Sequence, residues 1–205
     1  MSGIIAQNTL DNSGLIKSPA GGGAWNFISK VTASASSDIS FTSGIDSTYK
    51  EYLFTFKNIH PSASAVFQFN LSTDSGSNYN VTKTTTVFTA YNNESGTDPY
   101  LEYGAGPDLA QSTAFQKMVG HTNIGSGNDQ NLGGYLHLFN PSSTTFVKHF
   151  ITNTNSLGAT NYSVNTFVAG YGNTTSAVDA VQFKMVSGDI DLGDICLYGL
   201  TTWQV

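Results

Sequence analysis

Side chains in residues 49–57 alternate strictly: Tyr52, Phe54 and Phe56 fall on one side of an extended chain, with Leu53, Thr55 and Lys57 on the other. An extended backbone places successive side chains on opposite faces, so this beat buries one face of a strand. It recurs at 65–71, where Phe67, Phe69 and Leu71 alternate with Val66, Gln68 and Asn70, and again at 84–91, 134–139, 145–151, 163–171, 178–186 and 194–200. Clusters of Gly, Asn, Asp, Ser and Pro separate the runs, at 43–44, 58–62, 72–78, 92–99, 123–133, 140–143, 172–176 and 187–193. These residues suit turns because each tolerates or sets an unusual backbone angle. Roughly ten strands are counted this way, as expected of an antiparallel two-sheet β-sandwich. One stretch breaks the rhythm. Residues 108–119 keep Leu109, Ala110, Ala114, Phe115 and Met118 at helical spacing, which predicts a short helix.

Composition agrees with an all-β chain. Charged residues are 11% of the 205, whereas ordinary soluble domains carry about 25%. Glu occurs three times, and all eight basic residues are Lys. With 13 Phe and 10 Tyr the chain has ample apolar surface for a core, so it is not of the disordered class. Net charge is −6 without a single arginine, which leaves no basic patch for nucleic acid. No apolar run reaches the ~18 residues of a membrane span, so no membrane insertion is expected. Residues 1–10 lack the basic start and apolar stretch of a secretory signal, so the expectation is synthesis in a cytoplasm without an export address.

The chain divides at a glycine triplet. Residues 1–23 hold isolated apolar anchors, Ile4, Ile5, Leu10, Leu15 and Ile16, among polar turn formers, and end in Gly21–Gly23. Two readings stand: a frayed terminus, or an extended arm that docks on a partner. Residues 24–205 form one domain, with Trp203 expected to anchor its end.

Chemistry is sparse. His137 and His149 lie in adjacent predicted strands and could face each other in a hairpin, yet no third ligand stands at a zinc-like spacing. Asp189, Asp191 and Asp194 form the densest acidic turn; calcium and an ordinary Asp-Gly turn both fit it, and the turn is preferred. Cys196 reads as an inert buried thiol. No nucleophile elbow, zinc-helix motif or phosphate loop occurs, and the carboxylates form no distinctive pair. The expectation is no enzyme, no catalytic residue, no metal and no cofactor. Tyr91, Tyr100, Tyr103, Tyr162 and Tyr171 sit near loops, where rings could stack on a glycan or simply fill sandwich edges.

Three stretches carry a resemblance: AWNFISKVTA at 24–33 with FTSGIDSTYKEY at 41–52, GYLHLFNPSS at 134–143, and ICLYGL at 195–200. Together with SGIIAQN at 2–8 they resemble small β-rich virion proteins of tailed bacteriophages, especially marine and cyanobacterial phages. The resemblance implies a jelly-roll-like body and a structural role as a tail fibre, adhesin or capsid decoration. It further implies a homotrimer, attachment to other virion proteins through the arm, and contact with a host surface glycan. The coiled-coil heptads or repetitive shaft of a long fibre are missing, which favours a compact knob or decoration. The rival reading is a stand-alone carbohydrate-binding module using the loop tyrosines; a tail-associated glycan hydrolase is a third.

Overall fold

The computed structural model describes residues 25–200. The arm anchors Ile4, Ile5, Leu10, Leu15 and Ile16, the glycine triplet and Trp203 lie outside the described residues. Twelve strands form: β1 (Trp25–Ser36), β2 (Ile39–Phe41), β3 (Glu51–Pro61), β4 (Phe67–Ser72), β5 (Lys83–Asn93), β6 (Tyr100–Tyr103), β7 (Gln116–Lys117), β8 (Leu132–Phe139), β9 (Lys148–Leu157), β10 (Tyr162–Gly172), β11 (Ala180–Met185) and β12 (Ile190–Leu200). They build the expected all-β sandwich from an eight-stranded sheet, β1-β12-β3-β8-β9-β10-β5-β6, and a four-stranded sheet, β2-β11-β4-β7. Every pairing is antiparallel. The long alternating runs became the long strands. β2, β6 and β7 are too short to show a period, and β1, whose register shifts between Phe27 and Ser29, lies outside the eight alternating runs; these four complete the twelve.

The core lies between the sheets. Phe183 on β11 is surrounded by the rings of Phe41, Phe54, Phe56, Phe67 and Phe69, with centroids 5.2–6.4 Å away. Most of these contacts are edge-on or tilted, the geometry that brings a positive ring edge to a negative ring face.

Four strands cannot cover eight. The rest of the large sheet's inner face is covered by residues 104–131, and here the sequence expectation needs correction: residues 108–119 are not helical. Their main-chain groups bond to strands instead. Ser112 and Lys83 exchange both of their backbone hydrogen bonds, at 2.8 and 3.0 Å. Thr85 donates to Leu109 O at 2.9 Å, and Met118 donates to Phe67 O at 2.9 Å. Gln111 takes φ +49°, which no right-handed helix admits. The large sheet meets this segment with buried threonines set among the valines Val87, Val164 and Val168. Thr154 Oγ1 donates to Met118 O, Thr166 Oγ1 accepts from Gly120 N, and Thr85 Oγ1 donates to Gln116 Oε1.

The outer face of the large sheet is unusually apolar. Register places Phe27, Tyr198, Leu53, His137, Ile151 and Ala169 in one row across six strands. The next row runs Cys196, Thr55, Tyr135, Asn153, Phe167, Phe88 and Tyr103. Cys196 is therefore half-buried on this outer face, not a core thiol as its apolar neighbours suggested.

Candidate functional site

The far edge of the large sheet gathers aromatic rings. Tyr91 on β5 pairs with Tyr100 on β6, and Tyr162 opens β10 beside them. Their ring centroids lie 5.8 and 5.9 Å from that of Tyr91. His121, held at φ +58° in the covering segment, stacks on Tyr91 at 3.5 Å with planes 15° apart, and sits 5.0 Å from Tyr162. Carboxylates ring the cluster. Tyr162 Oη donates to Asp98 Oδ2 at 2.9 Å, and Glu102 Oε1 lies 3.9 Å from His121 Nδ1. The hydrogen bond to Asp98, then loss of hydration, pushes the Tyr162 phenol above its ordinary range. Lost hydration, followed by the charges of Glu102 and Asp98, does the same for Tyr91. Tyr100 is 58% exposed, so its ring, tilted against Tyr91, presents an open face beside these acceptors. An open aromatic face flanked by carboxylates can stack on the apolar face of a sugar and accept its hydroxyl protons.

Three of the five sequence-selected tyrosines thus converge, and two do not. Tyr103 shares the outer row with Phe88 and donates to Asp108 Oδ2 at 2.8 Å. Tyr171 lies nine residues along β10 from Tyr162, about 30 Å at strand rise, with its ring 6.0 Å from that of His149. His121, Asp98 and Glu102 were not singled out. The i, i+2 spacing of Tyr100 and Glu102 was the one available signal, and it spans only four residues of strand.

A second concavity, about 610 Å³, opens between β1, β3 and β12 and the 127–131 turn. It is lined by Lys57, Asn58, His60, Gln130, Asp191 and Asp194 among others. Register breaks in β3 after Phe56 and twice in β12 after Ile190 converge on it. Gly193 there has φ +127°, and a Cβ on it would sit 2.7 Å from Asn58 O, so only glycine allows this approach. The three aspartates of the acidic turn separate. Asp189 pairs through its backbone with Ser62, at 3.0 and 2.9 Å. Asp191 Oδ2 lies 3.5 Å from His60 Nδ1. Asp194 accepts from Thr32 Oγ1 at 2.6 Å and lies 3.4 Å from Lys30 Nζ. That hydrogen bond, more than the lysine, holds the Asp194 carboxyl below its usual range. Among the described residues no three His, Cys, Asp or Glu side chains gather as a metal site.

His137 and His149 do not face each other. His137 is opposite Ile151, and its Nε2 meets Glu51 Oε2 at 3.0 Å beneath the Trp25 ring. No family model matches the chain, and no curated protein matches it.

Proposed function

We propose that the chain is a non-enzymatic structural component of a tailed-phage virion surface, a compact fibre or adhesin knob or a capsid decoration. Residues 1–23 attach it to other virion proteins, and the body assembles as a homotrimer. The observation that carries the reading is placement. β1, the first strand after the arm, forms one edge of the large sheet, and the β6 strand bearing Tyr100 forms the other. Seven inter-strand steps of roughly 4.8 Å separate them, about 34 Å. The chain enters at one side and presents its aromatic cluster at the opposite side, the layout of an anchored surface protein. The exposed rings of Phe27, Phe88, Tyr103 and Tyr135 in the two outer rows supply an area for contact between copies. Deleting residues 2–20 should leave the melting temperature of the body nearly unchanged and abolish incorporation into particles. Normal incorporation of the truncated protein, or unfolding of its body, refutes the attachment role.

The cluster favours a second reading, a glycan-binding module. The carboxylates of Asp98 and Glu102 border Tyr91, Tyr100, Tyr162 and His121, so the site suits neutral or amino sugars and repels acidic ones. On a glycan array, Tyr100→Ala should lower binding of neutral oligosaccharides by about 10-fold or more, on the scale of a lost aromatic contact. Equal binding by the variant removes this site from consideration.

A further inference from the structure

Lys83 is wholly buried at the start of β5, facing the four-stranded sheet. Its ammonium would have no countercharge: Nζ contacts Asn70 Oδ1 and donates to Val81 O at 2.7 Å, both neutral. Asn70, on β4, is also wholly buried, and its amide is held from three sides. Nδ2 donates to Tyr79 O at 2.6 Å and to Thr113 O at 3.0 Å, while Oδ1 accepts from Leu71 N at 2.9 Å. An amine and a primary amide are thus fixed against each other where both side chains are closed off from bulk solvent, an arrangement in which proximity accelerates a reaction.

We propose that Lys83 and Asn70 join as an isopeptide bond, which covalently links the two sheets of the sandwich. The neutral Nζ attacks Asn70 Cγ and forms the new C–N bond. The carbonyl π electrons move onto Oδ1, where the Leu71 N–H already points and acts as an oxyanion donor. The proton shed by Nζ passes to Nδ2, the Cγ–Nδ2 bond breaks, and ammonia leaves. One amide replaces another, with no oxidant or co-reactant consumed. Burial supports the first requirement, because it lowers the Lys83 amine to about 7, so the nucleophilic form is abundant near neutrality. Among the described residues no carboxylate hydrogen-bonds to the pair to serve as proton shuttle, so closure should be slow, following folding rather than accompanying it.

Lys148 provides an internal contrast. It is equally buried and lies two strands away in the same row, on the other side of Gly172. Its Nζ reaches only the main-chain carbonyls of Phe146 and Thr174, at 2.6 and 3.2 Å. With no side-chain amide to attack, it should remain a free amine.

Intact mass spectrometry of the full-length protein tests the bond. The expected mass falls below the sequence value by one ammonia, and the lighter species accumulates on storage. Its rate of appearance should rise as pH passes through about 7 and level above it. Trypsin should no longer cut after Lys83, so residues 58–117 appear as one fragment lighter by one ammonia. Lys83→Met should abolish the loss and Lys148→Met should not. A protein that keeps its full sequence mass after prolonged storage at mildly alkaline pH overturns the proposal. So does ammonia loss with Lys83 still cleaved, since that marks a succinimide at an asparagine. Both decisive readings come from the unmodified sequence, so neither depends on a variant that folds.

Discussion

Individual residues divide into those whose environment follows from near neighbours and those whose environment is set across the fold. Phe54 and Phe56 are core residues because of the residues on either side of them. Lys83 is buried although lysine is normally exposed, and only the facing β4 strand explains it. While it remains a free amine, burial lowers it from 10.5 to about 7. The unfolded chain then holds more protons between those two values, so stability rises as pH climbs from about 7 toward 10.5. Below about 7 both states are protonated, and this contribution stays at its unfavourable limit. Urea melts of freshly folded protein at about pH 6.5 and about pH 9 should show the difference, and Lys83→Met should reduce it. Lys148, lowered by the same loss of hydration, leaves a residual slope of the same sign. His121 was beyond reach of the sequence for a related reason. Its stacking partner Tyr91 is thirty positions away, and its positive φ is imposed by the covering segment.

At the level of elements, alternation located the long strands from β3 onward, named no run over β1 although it is the longest at 12 residues, and misread one segment. Residues 108–119 have helical spacing, yet of the apolar residues at that spacing only Met118 enters the core; Leu109 is half-buried, and Phe115 lies under the Lys184 ammonium, 4.2 Å from the ring centroid. What decides against a helix is the set of unpaired strand groups waiting beneath it. Gln116 shows the cost most clearly. It is wholly buried, its Nε2 donates to Pro107 O and Lys117 O at 2.9 and 2.7 Å, and its Oε1 accepts from Thr85. Gln116→Leu keeps the volume and orphans those three groups, at about 1–3 kcal/mol for each that finds no water. A marked fall in melting temperature, with faster amide exchange confined to 104–119, is the expected result. Uniformly faster exchange across both sheets would mean that the segment is not a separate covering unit.

For the whole molecule, the sequence reading reached the all-β sandwich, and the register supplies what it could not: rows of aromatic and aliphatic side chains that run over six and seven strands, broken only by His137, Thr55, Asn153 and Cys196. Leu53, on the face opposite Phe54, already needs cover on the sequence alone. In the sheet it is one member of a row from Phe27 to Ala169. Closed cyclic symmetry is the common way to cover such a surface, and a trimer is the expected state. Sedimentation of the intact chain should show it, and Tyr135→Ser combined with Phe88→Ser should shift the species to monomer. A wild-type monomer at high concentration would remove the outer face as a contact surface. The edge position of β1 also has a mechanical consequence. Trp25 pairs with Leu200, so both ends of the described body leave from the same corner of the same strand pair. A tension applied between those two ends loads the β1–β12 ladder one rung at a time, like a zipper, and peels it at low force. A tension applied between the β1 end and a ligand held at β6 runs across the strands instead, pulling along the rows of hydrogen bonds from β12 to β5. If the arm is the anchor, the weakest joint under load is the first ladder it meets, and β1 would detach before the rest of the sandwich yields.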